Sequence, residues 1–193
     1  MMNGCRRWWF LTVPLLAALG CSDPVPRPAQ GNLTLSITRA AGNTSCPVPG
    51  QTYGIGNPKP PTLIPQSYGD RLIDGDNGSS IKCSVKGSGP FTFSGTIKAT
   101  TPQSDKVTLT ITNGVINADK ATGTATIAVS TPQLGGTFTS ADGACVINVV
   151  NSQVKAGSVW AGATCATVTD PSTTNVCAVA ATTNFVLENC EGT

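Results

Sequence analysis

From residue 32 onward the chain alternates apolar and polar side chains with a period of two. Leu33, Leu35 and Ile37 alternate with Thr34, Ser36 and Thr38; Ile81, Cys83 and Val85 with Lys82 and Ser84; Phe91 and Phe93 with Thr92 and Ser94. Val107, Leu109 and Ile111 interleave with threonines, and Ala125, Ile127 and Val129 continue the pattern past Ala128. Successive side chains of a strand point to opposite faces, so each run predicts a strand with one buried and one wet face. The threonines and valines between them are stiff at χ1 and suit a pleated surface better than a helix.

Breakers fall at strand-length intervals: Gly87-Ser88-Gly89-Pro90, Asn113-Gly114, Thr131-Pro132 and Gly135-Gly136. A Pro/Gly-rich passage over residues 47–69 reads as a long loop covering a sheet edge. After it, Arg71-Leu72-Ile73 reads as a short edge strand and Asp74-Gly75-Asp76-Asn77-Gly78 as a tight turn. Residues 146–150, 159–165 and 184–189 form a closing meander, and no helical stretch of useful length is found. The expected architecture is all-β: a two-sheet antiparallel β-sandwich, Ig-like or jelly-roll-like, with a β-barrel as the alternative.

The first twenty-one residues have a different pattern. Arg6 and Arg7 precede an apolar run from Trp8 to Leu19 broken only by Thr12, and the run stops at Ala18-Leu19-Gly20-Cys21. A dozen residues are too few for a bilayer, which needs ~20, but suit the apolar region of a secretory signal. Small residues before a cysteine, with polar sequence directly after it, predict a lipoprotein signal over 1–20 and lipidation of Cys21. Ala and Leu stand in the reverse of the usual lipobox order; ordinary secretion and an uncleaved anchor are the competing readings. Ser22 after the cysteine favours the outer membrane over the inner. Residues 21–31, with prolines at 24, 26 and 28, form a tether, leaving 32–193 as one domain.

Composition sharpens this picture. Without the signal the chain has ten basic and ten acidic side chains, which argues against a nucleic-acid partner. Cys5 leaves with the signal; Cys46, Cys83, Cys145, Cys165, Cys177 and Cys190 remain, an even six that reads as three disulfides in an exported chain. Six cysteines allow 15 pairings. The favoured set is Cys46–Cys83, Cys165–Cys177 and Cys145–Cys190, with Cys145–Cys165 as the rival pair. No two of the six are close enough for a zinc-ligand pair, and no cofactor is expected.

Histidine is absent, which removes Ser-His-Asp and Cys-His catalysis. No nucleophile elbow, phosphate loop or dinucleotide fingerprint occurs, and Gly54-Ile55-Gly56 lacks the helix that would give it meaning. A carboxylate-based glycoside hydrolase needs two acids at a fixed separation. Here Asp70, Asp74, Asp76, Asp105, Asp119 and Asp142 lie in turns or beside glycines, where aspartate hydrogen-bonds its own backbone. Asp74 and Asp76 open like a calcium loop, but Gly78 stands at the fifth position and no glutamate follows at the twelfth. Among the aromatics, Phe91 and Phe93 sit at core parity. Trp160, opposite in parity to Ala161 and Ala163, either caps the core or meets a ligand, and Tyr53 and Tyr68 in the long loop are the candidate outside contacts.

Two stretches carry a resemblance. One runs from Gly69-Asp70-Arg71-Leu72-Ile73-Asp74-Gly75 through Ile81-Lys82-Cys83-Ser84-Val85 to Phe91-Thr92-Phe93-Ser94-Gly95. The other is Val159-Trp160-Ala161, Cys165, Cys177 and the ending Phe185-Val186-Leu187-Glu188-Asn189-Cys190. Together they resemble uncharacterised β-rich, disulfide-containing lipoproteins of myxobacteria and related soil bacteria. The resemblance implies an envelope address and disulfides and brings no activity or substrate. The expected role is a non-enzymatic structural or interaction domain at the cell envelope, held to the membrane by its lipid, with an envelope protein or glycan as partner.

Overall fold

The computed structural model describes residues 26–48, 50–56 and 71–192. They form eleven strands and one 3-10 turn at Asp76–Gly78. The strands are β1 Gln30–Arg39, β2 Gln51–Ile55, β3 Leu72–Ile73, β4 Ser80–Gly87, β5 Phe91–Thr100, β6 Lys106–Ile116, β7 Thr122–Ser130, β8 Thr137–Thr139, β9 Cys145–Lys155, β10 Ser158–Thr169 and β11 Val176–Glu188. Among the described residues no helix is long and apolar enough to cross a membrane.

All named strand pairs are antiparallel, in the order β2-β1-β11-β10-β8-β7-β6-β5-β4. β2 and β3 share one side of β1, facing Leu33–Ile37 and Gln30–Gly31 respectively. β8 and β9 form one interrupted strand between β7 and β10, and thereby join two layers. One layer is centred on β1, β11 and β10, the other on β4 to β7. The apolar faces of the layers meet: Phe93 of β5 stacks on Phe185 of β11 at 6.2 Å between centroids. A Cβ added to Gly95 of β5 would lie 2.6 Å from Leu187 Cδ1 of β11. The β-sandwich expected from period-two patterning is therefore the observed fold, built as one hydrogen-bonded sheet folded over on itself.

The core follows the alternation. Leu33, Leu35, Ile37, Ile81, Val85, Phe91, Phe93, Val107, Leu109, Ile111, Ala125, Ile127 and Val129 are all buried. Two segments depart from the expected pattern. β2 falls inside the passage read as a loop, and Tyr53 opposite Leu35 points inward with Ile55. Asn113-Gly114 is no turn: it lies inside β6 as a bulge, with Asn113 at φ 52° and the register slipping between Thr112 and Val115. A Cβ on Gly114 would come within 2.6 Å of the Phe93 ring, so the bulge also gives that ring its space. β1 begins at Gln30, two residues before the expected domain start.

The six cysteines form three disulfides, Cys46–Cys177, Cys83–Cys190 and Cys145–Cys165. The rival pair Cys145–Cys165 is the one formed: Val146 faces Thr164, so the next pair of positions brings the two cysteines directly opposite. The favoured set is corrected throughout. Cys165 faces Val179 and Cys177 faces Val168, so the β10–β11 hairpin sets these two cysteines out of register. Cys190 bonds Gly157 at the start of β10, about 26 Å along the strand from Cys165 and hence from Cys145. Cys46 lies beyond the end of β1, beside the start of β11, whereas Cys83 on β4 faces the chain's tail.

Close packing at Gly123 gives a test. A Cβ there would stand 2.1 Å from the backbone oxygen of Val115, on the neighbouring strand β6. Gly123→Ala is expected to force β6 and β7 apart and to lower stability by about 1–3 kcal/mol, measured by urea denaturation. An unchanged midpoint would contradict the packing described.

Candidate functional site

A cleft lies at the end of the sandwich beside the start of β1, and Trp160 is its aromatic residue. Trp160 is the third residue of β10, in which Val159, Ala161 and Ala163 face the core, so its indole projects from the outer face, half-buried. On one side it faces Val186 of β11. On the other, the β9–β10 register slips between Val159 and Ala161, where Asn151 and Ser152 take left-handed φ values of 45° and 56°. This bulge in β9 lies beside the indole, and bulges recur next to binding surfaces.

Glu188 organises the cleft. Its Oε1 accepts a hydrogen bond from Trp160 Nε1 at 2.9 Å, and its Oε2 pairs with the guanidinium of Arg71. The Arg71 guanidinium lies over the indole ring, 5.7 Å from its centroid. Arg71 and Glu188 are 22% and 16% exposed, so the pair is partly shielded from water. An ion pair in that setting gains more from its hydrogen bonds and the cation–π contact than a fully exposed pair, which contributes about 0–1 kcal/mol. The remaining walls are polar: amides from Gln30, Gln153 and Asn189, the hydroxyl of Ser158, and two further cations, Arg27 and Lys155. The cleft encloses about 530 Å³. Three cations face one carboxylate, and that carboxylate is already paired.

Such a lining suits an anionic or hydroxyl-rich ligand and offers little for acid–base chemistry. Two-carboxylate hydrolysis needs a second acid, and among the described residues Glu188 is the one carboxylate of the cleft lining. Other acids serve turns. Asp74 accepts the backbone N–H of Ile81, Asp119 that of Ala121 and Asp170 that of Ser172, while Asp105 accepts from Gln133 Nε2. For the weak calcium candidate, Asp74 is thus committed to its own turn and Asp76 begins the 3-10 turn. Among the described residues no three His, Cys, Asp or Glu side chains are grouped to hold a metal ion.

The sequence-predicted contacts fare unequally. Trp160 lines the cleft. Tyr53 is corrected: it is 5% exposed, and its hydroxyl bonds Gln133 Oε1 at 3.1 Å and lies 3.3 Å from Thr131 Oγ1, so it is core rather than contact surface. Tyr68, with residues 57–70, and Cys21, with residues 1–25, lie outside the described residues. Arg71, Glu188 and Lys155 were not singled out from sequence, because their convergence depends on three strand registers and a bulge. No family model, curated protein or solved structure matches this chain.

A second polar cluster has a defined proton chemistry. Asp142, in the turn between β8 and β9, accepts hydrogen bonds from Thr126 Oγ1 at 2.7 Å and Asn113 Nδ2 at 2.8 Å. Those donors hold its carboxyl below the usual carboxylate range, with Thr126 the larger cause. The bulge at Asn113 is what brings the amide to the turn. A depressed folded-state value stabilises the fold above the unfolded value of about 3.9 and loses that contribution as pH falls through the folded value. Asp142→Asn is therefore expected to flatten the stability profile below about pH 4, read by urea denaturation across pH. An acid limb identical to wild type would contradict this.

Proposed function

We propose that this chain is an exported bacterial lipoprotein, anchored through a diacylglycerol thioether at Cys21, whose β-sandwich serves as a non-enzymatic interaction domain at the cell envelope. The observation that carries the reading is the set of three disulfides behind a signal-like N-terminus. Disulfides form and persist in oxidising compartments, which fits an extracellular or envelope environment. They cross-link the whole domain: chain-entropy arguments give about 5 kcal/mol for the long Cys46–Cys177 loop and about 3 kcal/mol for Cys145–Cys165. Ser22 supports the outer membrane as the destination.

A second reading, a carbohydrate- or surface-binding module, is favoured by one feature: a half-buried indole among amides, a hydroxyl and cations in the cleft around Trp160. The first reading is tested by growing cells with radiolabelled palmitate. The wild-type protein is expected to incorporate label and the Cys21→Ala variant to lack it. An unlabelled wild-type protein refutes the anchor.

A further inference from the structure

We infer that the Trp160 cleft docks onto the membrane that carries the anchor and receives the phosphate of an anionic glycerophospholipid headgroup. The inference rests on lipidation at Cys21, and three independent features of the fold support it.

Chain length is the first. The chain is fixed to the domain from Pro28 onward: Asn189 Nδ2 donates to the Pro28 carbonyl at 3.2 Å, and the Asp74 N–H to the Ala29 carbonyl at 2.9 Å. Seven residue steps separate Cys21 from Pro28, which fully extended reach ~25 Å. Asn189 is itself part of the cleft wall. A lipid on Cys21 therefore keeps this end of the sandwich within that distance of the bilayer surface.

Charge is the second. Glu188 is neutralised by Arg71, so the net charge of the cleft comes from Arg27 and Lys155. Both are exposed, and neither is in an ion pair among the described residues. Outside the cleft the mature chain carries seven basic and nine acidic side chains, so the cationic excess lies at the end that the tether holds near lipid. An anionic surface attracts each such cation by about five-fold in association.

The indole is the third. Tryptophan is enriched at headgroup depth, where its apolar ring and polar N–H are both accommodated. Trp160 is presented on an outer face, its N–H held by Glu188 and its ring covered on one side by Arg71. The phosphate would meet Arg27 and Lys155 at the rim, with Ser158 and Gln153 as hydroxyl and amide donors beside it.

Once the signal is removed, Trp160 is the single tryptophan, so its fluorescence reports on the cleft. The processed full-length protein would be reconstituted into vesicles of phosphatidylcholine, with and without phosphatidylglycerol, each containing a headgroup-spin-labelled quencher. Trp160 emission is expected to be quenched more in the phosphatidylglycerol vesicles. The Arg27→Gln/Lys155→Gln double variant, both positions being exposed, is expected to weaken that docking on the order of 20- to 30-fold while keeping its circular dichroism spectrum. Equal quenching in both vesicle types overturns the headgroup site. So does a fluorescence response to a soluble acidic oligosaccharide without any dependence on phosphatidylglycerol, which would assign the cleft to a glycan. The mass of the N-terminal peptide is read on the same sample. A peptide without diacylglycerol overturns the anchor, and the headgroup proposal with it. A lipidated peptide without phosphatidylglycerol dependence overturns the headgroup proposal alone.

Discussion

A folded-over sheet has two edges, and each edge strand carries a row of backbone donors and acceptors that can pair with another chain. At β4 the protein uses its own tail to cover part of that row. Val85 N–H donates to Glu191, Glu191 N–H donates to Cys83, and Gly157 N–H donates to Val85. The Cys83–Cys190 bond makes this pairing covalent. The arrangement fixes where β11 must end, where the β9–β10 turn must sit and which face of β10 remains outside. The cleft around Trp160 is formed by those same segments, so its shape follows from closing an edge.

Much of this was legible in the chain. Period-two alternation identified the central strands and their buried faces, because a strand's side-chain period is insensitive to which strand lies beside it. Pairing information was not legible in the same way. The cysteines on β10 and β11 are close in sequence yet out of register, and the bonded partner of Cys83 lies beyond the end of β11. Tyr53 shows a different failure. The stretch Gln51–Ile55 alternates correctly, but flanking prolines and glycines hid a five-residue strand that needs β1 for its stability. At Asn113-Gly114 the strongest local turn signal was used for a bulge, which tertiary packing around Phe93 favours.

The cleft itself illustrates why sites are harder to read than folds. Trp160 was identifiable by parity. Its partners come from the approach to β3, the far end of β9 and the end of β11, which approach one another only after every register is set. Glu188 then binds both the indole N–H and the guanidinium, so the three groups hold one another and the two rim cations dominate the electrostatics. In the proposed setting these properties act together. The site is polar, concentrated in positive charge and located at the end tied to the N-terminal segment.

The attachment of β1 also has a mechanical consequence. Tension applied at the N-terminal end would act first on the Pro28–Asn189 bond and then on the ladder between β1 and β11. Peeling stops at Cys46, where the load passes through a covalent bond into the start of β11. From Cys21 to that point the chain reaches no more than ~90 Å when fully extended. A pull on this end can therefore expose one strand, but the remaining sandwich stays cross-linked and held by sulfur.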